Sequence, residues 1–176
     1  MKKLMLAIIP LTLAACSTPA EREFRDNPRQ LGLYVAVTDI LADTHVVVKN
    51  AHNGQVIELQ VKHQLHDNTG YIVAALPAGH YTWYTYSPDG QTVVSLVTPN
   101  GYFDVQADCF NYGGKYKFGT DAKGAPLFND TTRLKDIEQL PWNIRRYARD
   151  RDICSAAMGE TNDRLAAADV IPLLDL

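Results

Sequence analysis

The sequence predicts a mainly β protein: an antiparallel β-sandwich of about seven strands followed by a C-terminal helical segment. Three observations predict it. Pro77-Ala78-Gly79, Pro88-Asp89-Gly90 and Pro99-Asn100-Gly101 follow one another at eleven-residue intervals. In each, proline pre-sets φ for a tight turn and glycine takes the position that closes it. The runs between them are rich in Tyr, Trp, Val and Thr, as strands folding back on one another in a meander would be. After Gly119 the alternation gives way to helical spacing, from about Thr132. A chain of 176 residues, 46% of them hydrophobic, is long enough for one core and crowded for two domains.

Residues 1–15 have the form of an export signal. Lys2 and Lys3 precede a short apolar run, Leu4 to Leu13, and Ala14 and Ala15 then lead to Cys16. The alternatives are an ordinary signal peptide that ends near a cysteine and an uncleaved membrane helix. The run is short against a bilayer core of about 30 Å, and Pro10 interrupts it. Residues 16–30 are polar and mixed in charge, with Phe24 the only bulky apolar side chain, and read as a flexible tether. Residues 31–176 are then one folded domain.

Within that domain Leu33–Val37 and Val46–Val48 are strand candidates, and Asn53-Gly54 is a two-residue hairpin signal. It leads into Val56–Val61, where Ile57, Leu59 and Val61 alternate with Glu58, Gln60 and Lys62. Tyr71–Leu76 runs into the Pro77 corner. His80–Tyr86 places Tyr81 and Trp83 on one face and Tyr84 and Tyr86 on the other. Thr92–Val97 and Phe103–Ala107 supply further strands, and Lys115–Phe118, with both lysines on one face, suits an exposed or edge strand. Pro141 begins a helix that runs to about Met158 and stops at Gly159. It sets Ile144, Tyr147, Ala148, Cys154 and Met158 on one stripe. The apolar end, Val170–Leu176, suits a tail packed on the domain's own surface, with a partner-binding peptide as the alternative.

Leu13-Ala14-Ala15-Cys16 resembles the lipobox of bacterial lipoproteins. The resemblance implies that Cys16 is acylated and becomes the first residue, with several chains giving a stable anchor. Ser17 in the next position implies, by Gram-negative sorting rules, the outer membrane, with the domain in the periplasm. Seventeen basic and twenty acidic residues give a net charge of −3, and losing Lys2 and Lys3 makes it −5. That charge offers no electrostatic case for nucleic acid. Two cysteines remain in an oxidising compartment, Cys109 and Cys154, and most simply form one disulfide, two separate buried thiols being the alternative. With Cys154 on the helical stripe, the bond would pin the helix to the sheet.

Asp67-x-x-Gly70-Tyr71, followed by Pro77-Ala78-Gly79-x-Tyr81, is similar to the repeat of carboxypeptidase-regulatory-like β-sandwiches, which are related in shape to transthyretin. Gly101–Val105 and Tyr112-Gly113-Gly114 resemble the ends of small Gram-negative outer-membrane lipoproteins with this core. The resemblance rests on turn residues and implies architecture. Such domains support folding, docking or binding and share no catalytic residues.

Three constellations are candidate sites. His63-x-x-His66-Asp67 has local metal-ligand spacing, although nothing supplies a fixed further ligand. Trp83, Tyr84 and Tyr86 form a candidate platform for stacking a glycan, against the commoner role of such residues as core and cross-strand pairs. Arg145, Arg146 and Arg149 form a candidate docking face for an acidic partner, with Arg146 and Asp150 spaced to pair on the helix surface. The chain has no G-x-S-x-G, H-E-x-x-H or Gly-rich phosphate loop. The expectation is a non-enzymatic, cofactor-free interaction or scaffolding module, held at the membrane through Cys16 and partnered by an envelope protein. A small-ligand binder for a glycan or metal and an inhibitor of an envelope-attacking hydrolase are the alternatives.

Overall fold

The computed structural model describes residues 18–39, 44–63, 70–88, 90–118, 127–131 and 134–159. Over these the protein is mainly β, with a short helix near the C-terminal end of the described residues. The strands are β1 (Leu31–Thr38), β2 (His45–Asn50), β3 (Val56–His63), β4 (Gly70–Pro77), β5 (Gly79–Ser87), β6 (Val94–Ser95), β7 (Tyr102–Val105), β8 (Cys109–Phe118), β9 (Leu127–Thr131) and β10 (Asp152–Ser155). Two α-helices, α1 (Pro19–Asp26) and α2 (Trp142–Asp150), and a 3-10 helix over Leu134–Gln139 complete them.

The strands join in one hydrogen-bonded order, β10-β8-β1-β4-β3-β2-β5-β6, with β7 also on β5 and β9 also on β8. β3 belongs to both halves: its first part pairs with β2 from Val56 to Gln60, and Val61–His63 pair with β4. The two halves pack against each other through one cluster. Tyr34, Ile72, Leu76 and Tyr116 come from one half, and Val46, Leu59, Trp83 and Phe103 from the other. The Tyr34 and Phe103 rings stack with centroids 4.5 Å apart, and Trp83 meets Tyr116 edge-on at 4.8 Å.

Ten strands among the described residues exceed the seven expected, and they are not all antiparallel. β8 runs parallel to β1 and β10 runs parallel to β8. The chain leaves the β1 half at the Pro77 corner, builds β5 to β7, and re-enters beside β1, which is the kind of crossover a parallel pair requires. The proline turns differ from a simple meander for the same reason. Pro77-Ala78-Gly79 closes no hairpin, since β4 pairs with β1 and β3 while β5 pairs with β2. It is the corner between halves, and the Tyr81 hydroxyl donates 2.8 Å to the Pro77 carbonyl across it. Pro99-Asn100-Gly101 interrupts an edge: β6 and β7 both run antiparallel to β5, and the Trp83 N–H donates 2.8 Å to the Gly101 carbonyl. The Asn53-Gly54 hairpin does form, with Gly54 at φ +74°, but it is wider than two residues, closed by Asn50 N–H on the Gln55 carbonyl at 2.8 Å.

Two further expectations are corrected. Residues 16–30 are not a tether throughout, because Pro19–Asp26 is helical. Thr18 caps it in a reciprocal capping box with Glu21, Pro19 sits where its missing N–H costs nothing, and Phe24 is fully buried. The second helix ends at Asp150, well before Met158, and Arg151 turns extended. Cys154 therefore lies on β10 beside β8, and the 45-residue Cys109–Cys154 disulfide joins neighbouring strands with Cα atoms 6.1 Å apart. Pairing with β8 gives the backbone of 152–155 ladder partners on one side in place of another helical turn. β8, paired with β1 on one side and with β10 and β9 on the other, is no edge.

The helices cover the other face of the β1 sheet. Phe24, Ile137, Leu140, Ile144, Tyr147 and Ala148 pack there on Leu33, Val35, Val37, Phe110 and Ile153.

Candidate interaction surfaces

The three aromatic residues of the candidate platform do not share an open face. On β5, Val47 faces Thr85 and Val48 faces Trp83, so Tyr84 is the extra residue of a β-bulge. A bulge reverses which alternate residues point inward. Tyr81 and Trp83 are fully buried before it, Tyr84 is 40% exposed, and Tyr86 after it turns back to pack on Phe118 at 5.4 Å. Trp83 is the centre of the core and has no face for a ligand. This corrects the platform reading.

His66 and Asp67 of the candidate metal site lie outside the described residues, and His63 is described only as part of the β3 backbone. Two other histidines have carboxylate partners on the outer face of the sheet. His45 contacts Glu58, and His80 Nδ1 lies 2.7 Å from Asp104 Oδ1, with the His80 ring 4.9 Å from Tyr102. Among the described residues no group of three His, Cys, Asp or Glu is placed to hold a metal ion.

The arginines of the candidate docking face do come together on α2, beside a residue the sequence reading passed over. Trp142 is 61% exposed at the first turn, and the Arg146 guanidinium lies 5.8 Å from its ring and 5.2 Å from that of Tyr147. Arg146 is thus held by rings rather than by Asp150. Arg149 is exposed and Arg145 half-buried. The inner side of α2 anchors the face, with Ile144, Tyr147 and Ala148 buried. Trp142 was open to recognition: it falls off the Ile144–Tyr147–Ala148 stripe, so a helix beginning at Pro141 must turn it outward.

A second surface is the β6 edge. Val94–Ser95 pairs with β5 and stands last in the strand order. Leu96 turns into the core, its neighbour Val97 is 64% exposed, and Val93, just before β6, is 70% exposed. The signal was alternation in the sequence, which sets Val93 and Val97 opposite Leu96.

No family model matches the chain, and no curated protein matches it. Among solved structures, a leucine-rich repeat protein from Bacteroides thetaiotaomicron is similar over 64% of this chain at 16% identity, with a TM-score of 0.32. The chain spans 15% of that protein's length.

Proposed function

We propose that the protein is a non-enzymatic interaction module of the bacterial envelope, anchored to the outer membrane through an acylated Cys16 with its folded part in the periplasm. The lipobox-like Leu13–Cys16 stretch supports the address. The resemblance of the Asp67–Tyr81 stretch to regulatory-like sandwiches supports a docking role, and the two packed halves of the sheet are read as the layers of a distorted sandwich.

The observation that carries the interaction is the β6 edge. Val93 and Val97, 70% and 64% exposed, flank a strand paired with β5 at the end of the sheet. Proteins normally blunt such edges with charge. An apolar edge instead offers backbone hydrogen bonds and side-chain contact to an added strand. The partner is an extended segment of an envelope protein.

A photo-crosslinking residue at Val97 in the intact lipoprotein tests this in cells. A discrete adduct with an envelope protein, lost when Val93→Lys is added, is the expected result. A protein that forms no adduct from position 97 while turning over a substrate ends the proposal.

A further inference from the structure

We propose that the helix layer is a second membrane contact, with Trp142 and Arg146 resting on the lipid headgroups beside the anchor. This rests on the acylation of Cys16 proposed above. Thr18, the cap of α1, is two residues from Cys16. At most about 3.6 Å per residue of extended chain puts the start of α1 within about 7 Å of the anchored Cα. No length remains there for a spacer.

One buried carboxylate then brings α2 to the same place. Glu21, fully buried, accepts from the Thr18 N–H at 2.6 Å and from Asn143 Nδ2 at 3.1 Å. Asn143 is the neighbour of Trp142, so the first turns of both helices meet at the anchored end. Phe24 and Tyr147 pack edge-on at 6.1 Å, and the Arg151 guanidinium lies 5.5 Å from the Phe24 ring, which holds α2 along α1.

The chemistry of the exposed side suits a headgroup layer. An indole with one apolar face and one N–H is favoured at the membrane–water interface, and arginine pairs with phosphate there. Arg22, Arg25, Arg145, Arg146 and Arg149 lie on the two helices, against the exposed acids Glu23, Asp26 and Asp150. The rest of the chain carries the excess of acid that makes the whole −3. With the buried Glu21 counted, α1 and α2 carry five arginines against four acids, a slight basic excess in a chain of net −3, and their arginines can meet lipid phosphate.

Trp142 is also the reporter, because the chain's other tryptophan, Trp83, is sealed in the core. The full acylated protein is reconstituted in vesicles of phosphatidylethanolamine and phosphatidylglycerol, with and without brominated acyl chains. The expected result is a blue shift and bromine quenching of tryptophan emission, both lost in Trp142→Phe and reduced in Arg146→Ala or in phosphatidylcholine vesicles. Unacylated Cys16→Ser protein in solution should show Trp142 open to acrylamide. Trp142 shielded in that soluble protein means the chain itself covers the face, and overturns the proposal. So does an acylated protein that floats with vesicles but shows no Trp142 quenching, which leaves the anchoring reading standing. Absence of the acyl mass at Cys16 overturns the anchoring reading and this contact with it.

Discussion

β1 is buried along nearly its whole length, yet its two faces are closed by different means. Tyr34 and Ala36 face the cluster between the sheet halves, where strands on both sides supply the lid. Leu33, Val35 and Val37 face the cluster under α1, α2 and the 3-10 helix. Strands in a paired network cannot leave singly without breaking ladder hydrogen bonds. Helices of eight and nine residues have little stability of their own and stay helical because they are docked. The strand-closed core therefore defines the fold, and the helix-closed core is a layer that can loosen separately. That separable layer is the one the sequence places next to Cys16.

The largest effect expected is on the strand-closed side. Trp83→Ala removes the ring that meets Tyr34, Phe103, Tyr116 and Phe118, and should cost about 3–5 kcal/mol of global stability, read from the urea midpoint. Phe24→Ala on the other side should cost less. Loss of hydrogen-exchange protection should be confined to Pro19–Asp26, while the β4 and β5 amides stay protected. Equal global losses from both substitutions would break the comparison.

Next in size is the disulfide. It closes a loop that contains β8, β9, the 3-10 helix and α2. The double change Cys109→Ser, Cys154→Ser should cost about 2–4 kcal/mol. If the helix layer is separable, proteolysis should then begin near β10 and the 3-10 helix before any cut in β2 to β5.

Strand positions were legible because alternation is local, and Leu33–Val37, Val46–Val48 and Val56–Val61 all became strands. The disulfide was legible by counting cysteines. What alternation alone does not carry is a bulge. Tyr84 on β5 and Gly113-Gly114 on β8 each add a residue. Tyr81, Trp83 and Tyr86 thereby share a core that their spacing divides between two faces. On β8, Phe110 and Tyr112 face the helices while Tyr116 faces the opposite core. Gly113 itself admits no side chain, since a Cβ there would stand 2.5 Å from the Tyr34 hydroxyl. The end of α2 was hidden because Cys154 and Met158 continue the helical period, whereas the pairing that claims 152–155 comes from a strand some forty residues away. The Arg145–Arg149 face was legible, and Trp142 was overlooked beside it. Thr18-Pro19-x-Glu21 was a readable helix start, masked by the mixed charges that follow.

That start gives the third prediction. Thr18→Ala removes the hydroxyl that accepts from the Glu21 N–H at 3.3 Å and should cost about 1 kcal/mol. If the helix layer opens independently, the loss appears as faster exchange in α1 with little change in the urea midpoint. A full shift of the midpoint would mean that the two cores unfold as one.

The smallest effect at neutral pH is the most selective. Burial, and then the neighbouring Tyr116 and Tyr112, hold the Tyr34 phenol well above the ordinary tyrosine value of 10.0. The unfolded chain loses that proton near pH 10 while the folded chain keeps it. The unfolded state thus binds fewer protons in this range, and stability falls as pH rises above about 10, by up to about 1.4 kcal/mol per pH unit for one such group. Below pH 10 the contribution is fully present, so Tyr34→Phe should lie within about 1 kcal/mol of the native protein at neutral pH. Above pH 10 it should flatten the decline measured by urea unfolding. Tyr71, beside the helix layer, is also raised, by burial first and then by the Glu21 carboxylate, but it is only half-buried. Tyr71→Phe should flatten the same decline less. If Tyr71→Phe has the larger effect, the helix-closed core is the tighter of the two, and the ranking drawn from β1 is reversed.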